Sequence, residues 1–144
     1  MGKKKVVQKM GDEPKEGAVA VKTNAGSSRK VENGTVYINA TYNNTIITVT
    51  DAGGNAIAWS SAGGLGFAGP KKATPFAAAK VATAVIEKIK KSGPFNVHIV
   101  VKGVGGGRDS AVRTFSGQGF TVLSVRDATP IPHNGPRPPK VRRI

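Results

Sequence analysis

The chain contains no cysteine. That absence excludes disulfides, thiolate metal sites and thiol nucleophiles. Histidine is nearly as scarce: His98 and His133 are the only two, too few and too far apart for a zinc centre. Carboxylates number eight against 22 lysines and arginines, and Asp12, Glu13, Glu16 and Glu32 all lie before residue 33. Only Asp51, Glu87, Asp109 and Asp127 remain for the body of the chain. No apolar run is long enough to span a bilayer, and no basic amphipathic helix carries aromatic membrane anchors. The opening MGKKKVVQKM lacks the apolar stretch of a secretory signal, so a cytoplasmic location is expected.

What the chain has in quantity is positive charge, +14 over 144 residues. A small domain so far from neutrality repels itself, and a phosphate-rich partner is the usual compensation. Charge serving only solubility is the competing explanation, and the clustering of the cations argues against it. Residues 128–144 read ATPIPHNGPRPPKVRRI, with five prolines, Arg137, Lys140, Arg142 and Arg143, and no acid. Proline fixes φ and removes a backbone donor, which rules out a regular helix or central strand there. A stiffened cationic tail suited to run along a polyanion is the result. Residues 1–33 hold eight basic and four acidic residues with few large apolar side chains. They read as a basic flexible arm, serving electrostatic attachment or simply solvated.

Between these ends, residues 34–127 predict a mixed α/β domain. Val36, Ile38 and Ala40 alternate with polar neighbours from Thr35 to Thr41, the period of a strand with one buried face. Asn43-Asn44 supplies a turn, Ile46–Thr50 a returning strand, Asp51–Asn55 a second turn and Ala56–Ser60 a third strand. A glycine-rich loop, SAGGLGFAGPKK, precedes a helix capped by Thr74 and opened by Pro75. Ala78, Ala82, Val85, Ile86 and Ile89 share one face of it, and Gly93-Pro94 closes it. Phe95–Lys102 reads as a central strand, apolar in part on both faces. A short helix over Arg108–Ser116 and a strand over Phe120–Arg126 follow. The order βββαβαβ predicts a mixed five-stranded sheet with helices packed on it, a ribonuclease-H-like topology.

That topology raises catalysis, which the residues oppose. Divalent-metal nucleases need clustered carboxylates, one of them on the first strand, and Thr35–Thr41 has none. Asp51 and Asp109 are explained as turn and cap residues. Gly64 to Gly69 has phosphate-loop spacing, yet Pro70 stands where lysine belongs and removes an amide. A nucleotide hydrolase is therefore disfavoured, leaving a loop in which Lys71 and Lys72 can meet phosphates. The segment GVGGGRD, flanked by Lys102 and including Arg108, lies between a strand and a helix. It is either an anion cradle for a nucleic-acid backbone or a plain tight turn. Among aromatics, Trp59, Phe67, Tyr37 and Tyr42 could stack on bases; Trp59, in a strand, is expected in the core, and Phe67, in the exposed loop, is the better stacking candidate. His98 reads as an ordinary strand histidine. No cofactor is expected.

The blocks YNNTIITVTDAGGNAIAWSSAGGLGF, KKATPFAAAKVA, VKGVGGGRDSAVR and DATPIPHNGPRPPKVRR resemble the bacterial form of the universal small-subunit ribosomal protein eleven family. The resemblance spans Gly34 to Ile144 and is most specific in PIPHNG-x-RPPK. It implies a non-enzymatic structural protein of the small-subunit platform that bridges helices of 16S rRNA. It further implies contact with small-subunit proteins seven and eighteen, a place beside the cleft of the Shine–Dalgarno duplex, and initiation factor three nearby. Matching positions give an RNA-facing set: Asn43, Asn44, Lys71, Lys72, Thr74, Lys102, Gly103, Gly105, Gly107, Arg108, His133, Asn134, Gly135, Arg137, Lys140, Arg142 and Arg143. Three departures stand out: Ala68 and Pro70 where the family often has arginine, GVGGGR in place of GPGPGR, and Pro136 in place of cysteine. Asn134-Gly135 implies isoaspartate, since the unhindered glycine amide can attack the asparagine carbonyl.

Overall fold

The structure, a computed structural model, describes residues 31–90 and 93–141. The expected arm up to residue 30 and the tail cations Arg142 and Arg143 fall outside them. The elements are β1 (Asn33–Ala40), β2 (Thr45–Asp51), β3 (Ala56–Ser61), α1 (Pro75–Ile89), β4 (Asn96–Lys102), α2 (Arg108–Gly117) and β5 (Thr121–Asp127), with short 3-10 turns at Gly63–Leu65 and Gly69–Ala73. This is the expected βββαβαβ order. The sheet runs β3-β2-β1-β4-β5, antiparallel across β1–β2 and β2–β3, parallel across β1–β4 and β4–β5.

Local chemistry explains these boundaries. The Thr41 hydroxyl donates to the Asn44 carbonyl at 3.1 Å and accepts from the Asn44 amide at 3.0 Å, closing the first turn. In the second, Asp51 Oδ1 accepts from the Asn55 amide at 2.9 Å, and Gly54 takes the positive φ of 85° that a side chain resists. The Thr74 hydroxyl caps α1 by accepting from the Ala77 amide, and Pro75 occupies the first helical position, where its missing donor costs nothing. Gly93 ends the segment by donating to the Ile89 carbonyl at 2.6 Å, and a side chain there would collide with Ile89.

Both crossovers, β3–α1–β4 and β4–α2–β5, travel the same way across the sheet. Their shared right-hand preference sets both helices on one face. Val36, Ile38, Ile47, Val49, Ile99 and Val101 point there and are buried against Val81, Val85, Ile86 and Phe115. Burying these branched side chains stabilises the fold by roughly 1.5–3 kcal/mol each. The other sheet face is uncovered among the described residues.

Strand β4 is central as expected, with partners on both sides; Val97, Ile99 and Val101 are buried against the helices, and on the other face Val100 is half-buried beside exposed His98. Two expectations need correction. Trp59 is not in the core: it is 62% exposed, because its neighbours Ala58 and Ser60 take the helix-facing positions of β3. Asp109 caps nothing, since Gly107 holds the N-cap position of α2; its carboxylate lies in the first turn, where it complements the helix dipole.

Candidate nucleic-acid interface

Strands β1, β3, β4 and β5 run parallel in the sheet, so their carboxyl ends share one edge. Everything that follows them emerges there: the Thr41–Asn44 turn, the Ala62–Ala73 loop with the start of α1, the Gly103–Gly107 loop, and the tail. Open α/β sheets bind ligands at this edge. Close contacts tie these segments together. The Gly105 amide donates to the Ala40 carbonyl at 2.9 Å, the Ala62 amide to Thr45 at 3.0 Å, and the Ser110 hydroxyl to the Pro75 carbonyl at 2.8 Å. The expected set, scattered from Asn43 to Lys140 along the chain, is thereby rooted at one end of the sheet.

The glycine loop is shaped by protein contacts. A Cβ on Gly103 or Gly105 would come within 2.2 Å of the Ala40 or Thr41 carbonyl oxygen, respectively. One on Gly107 would lie 2.8 Å from Ala78 and from Thr45 Oγ1, a buried hydroxyl that has no hydrogen-bond partner among the described residues. These glycines exist so that the loop can lie against β1 and α1. Arg108 turns back as well. Its guanidinium donates to the Gly103 carbonyl and to Asp127 Oδ2, and among the described residues that is the one ion pair. The ring of hydrogen bonds closes through Thr129, whose hydroxyl and amide both donate to Asp127 Oδ1, while Gly103 donates its amide to Thr129 Oγ1 at 3.2 Å. The Thr129 hydroxyl, then the Arg108 guanidinium, hold the Asp127 carboxyl well below the usual carboxylate range. Ala128 extends the pairing by donating to Val101 at 2.8 Å. The tail therefore leaves the domain from an anchored root.

Other expected residues find mixed surroundings. Lys71 and Lys102 are exposed and Lys72 is half-buried, none with a carboxylate partner among the described residues. Asn43 is exposed, and Asn44 is half-buried with its side-chain oxygen accepting from the Thr45 amide at 2.9 Å. The Thr74 hydroxyl is committed to the Lys71 carbonyl and the Ala77 amide. His133, Asn134, Gly135, Arg137 and Lys140 are all exposed, and Asn134 takes a left-handed φ of 54°. Phe67 is half-buried, its ring edge-on to Phe76 at 6.1 Å. Sequence reasoning missed Arg113, which lines a groove of about 300 Å³ between α2 and β5, and Arg126, which on the edge strand β5 stands at the rim between that groove and the uncovered sheet face. Only the pairing of α2 against the edge strand brings them together.

The family model for ribosomal protein S11 matches residues 34–143. The chain belongs to the ribosomal protein S11 family. Among its relatives, the small ribosomal subunit protein uS11 of Treponema pallidum (strain Nichols) is 56% identical over 126 residues, covering 88% of this chain and 100% of that protein. The protein of the same name from Borreliella burgdorferi (strain ZS7) is 53% identical over 116 residues, 81% of this chain and 89% of that protein. The S11 match begins at Gly34, inside β1, and takes in the rest of the sheet, both helices and the anchored tail to Arg143. Among the described residues of this S11 chain, no group of three His, Cys, Asp or Glu is placed to hold a metal ion, and no helix is long and apolar enough to cross a membrane.

Proposed function

We propose that this S11-family chain is a structural, non-enzymatic constituent of the small ribosomal subunit, acting in translation in the cytoplasm. In this reading it binds and bridges helices of 16S rRNA in the platform and borders the Shine–Dalgarno cleft. Small-subunit proteins seven and eighteen are its neighbours, and initiation factor three docks nearby. The observation that carries the reading is the convergence of cationic segments at one sheet edge, where among the described residues Asp127 is already neutralised by Arg108 and Asp109, in the first turn of α2, is the other carboxylate.

The division of labour is physical. Lys71, Lys72, Lys102, Arg137, Lys140, Arg142 and Arg143 neutralise phosphates, and Asn43, Asn44 and His133 to Gly135 supply hydrogen bonds at close approach. Gly103, Gly105, Gly107 and Thr74 fix the shape of the edge, and Arg108 holds the loop to the root of the tail. Residues 34–127 form the rigid body; residues 1–33 and 128–144 extend its reach. Engaging six to ten phosphates makes affinity fall roughly 10³- to 10⁵-fold between 50 and 200 mM salt. Crosslinking the protein within intact small subunits and mapping the RNA sites tests the assignment directly. Crosslinks from Lys71, Lys102 and Lys140 to platform RNA are expected, and their absence would refute it.

A further inference from the structure

The face of the sheet opposite the helices carries a second surface, distinct from the loop edge. Cross-strand register aligns Trp59, Thr48, Tyr37, Val100 and Arg126 in one row over all five strands. Trp59 is 62% and Tyr37 44% exposed, although large aromatic rings are normally covered in an isolated domain. They stand two strands apart, about 10 Å at the usual strand spacing, with Arg126 as far again beyond Tyr37. The adjoining row places Ile46, Asn39 and Lys102 side by side. On the other flank, His98 Nδ1 lies 2.7 Å from the Ser124 hydroxyl.

Charge decides what this face fits. Its titratable side chains are Tyr37, His98, Lys102 and Arg126, and none is acidic. The nearest strand carboxylates, Asp51 and Asp127, alternate to the helix side, and Asp127 is held by Arg108. Exposed rings interleaved with cations and small polar groups, without a carboxylate, match the needs of unpaired nucleotides: bases stack on the rings and phosphates meet the cations. A duplex hides its base faces and cannot use the rings. Lys102 also stands where this face meets the cationic edge, so a strand leaving the edge can continue onto it.

We infer that the uncovered sheet face is a stacking platform for single-stranded RNA, with Trp59 and Tyr37 as the base-stacking residues and Arg126 and Lys102 as their phosphate partners. This rests on the RNA-binding function above and assigns it a second, unpaired segment.

Trp59 is the only tryptophan in the chain, so its emission reports on this face alone. The full chain is titrated with a labelled single-stranded oligonucleotide of RNA and with an RNA duplex, following label anisotropy and tryptophan emission together. Emission is expected to change in step with anisotropy for the single strand and to stay flat for the duplex. Trp59→Ala is expected to weaken single-strand binding roughly tenfold with the salt slope unchanged, because stacking releases no counterions, and Trp59→Phe to restore most of it. Anisotropy that saturates without a change in emission overturns the platform while leaving edge binding intact. Emission that responds only to added small-subunit proteins overturns it in favour of protein docking. No anisotropy change with either RNA removes the RNA-binding function and this inference together.

Discussion

Adding one methyl group at Gly105 asks whether the glycine loop is shaped by the protein or by a ligand. The new Cβ would lie 2.2 Å from the Thr41 carbonyl oxygen and 2.9 Å from the Ala40 carbonyl carbon, both backbone atoms that no rotamer change can move. Relief needs a shift of about 1 Å, and overpacking of this kind costs roughly 1–3 kcal/mol. The same shift breaks the Gly105–Ala40 hydrogen bond, worth about 1 kcal/mol net. Gly105→Ala is therefore expected to lose about 2–4 kcal/mol. With a urea m-value of about 1.5 kcal/mol/M, the midpoint followed by far-ultraviolet circular dichroism falls by about 2 M. Gly106→Ala is the internal control, because its nearest atom is the Ala73 carbonyl oxygen at 4.0 Å, and a change within about 0.5 kcal/mol is expected. Equal midpoints for the two variants would refute the claim that these glycines serve close backbone approach.

Four further outcomes follow from the same geometry. Removing Arg137 and Lys140 together should reduce the slope of log K against log salt by about 1.4 to 1.8 while leaving the urea midpoint in place, and an unchanged slope counts against the tail. Asp127→Asn takes away a negative charge yet should weaken RNA binding, because the tail root loses its acceptor for Arg108 and Thr129; tighter binding, as charge counting demands, would contradict the ring of hydrogen bonds. Acid should erode stability. The Asp51 carboxyl, lowered chiefly by its hydrogen bond to the Asn55 side chain, and that of Asp127 lie below their ordinary 3.8, so their stabilisation is complete above that value and lost as pH drops through the depressed one; a midpoint independent of pH between 5 and 2 would exclude it. Peptide mapping of mature particles should find isoaspartate at Asn134, and unmodified asparagine throughout would disprove that modification.

Much of the fold was legible because its signals are local. Alternation in β1, the Thr74-Pro75 helix start and the Asp51–Asn55 turn each announce themselves within a few residues. The side facing the core was harder to read in β3, where Ala56, Ile57, Ala58 and Trp59 are apolar at both parities and ring size suggested burial for Trp59. The structure instead places Ala58 and Ser60 toward α1. The candidate site could be written from sequence only as a roster, and its arrangement could not be read there. Arg108 looked free because its partner Asp127 lies a whole helix and strand away in sequence, and Thr129 drew no notice without that pairing. In sequence, Gly103, Gly105 and Gly107 read as RNA-facing positions in an anion cradle or a plain tight turn, and what their missing side chains admit in the structure is the carbonyl edge of β1 and the start of α1.

Fixing Ala128 and Thr129 to β4 has a consequence for assembly. An arm hinged freely at its base sweeps a broad volume and surrenders that freedom on docking. Here the first residues past the sheet have already given theirs up during folding, so Pro130, Pro132 and Arg137 beyond them set out along a predetermined bearing. Less entropy remains to be lost when the arm meets its target. A change at Thr129, deep in the hinge, is thus expected to alter the bearing of the tail as far out as Arg137.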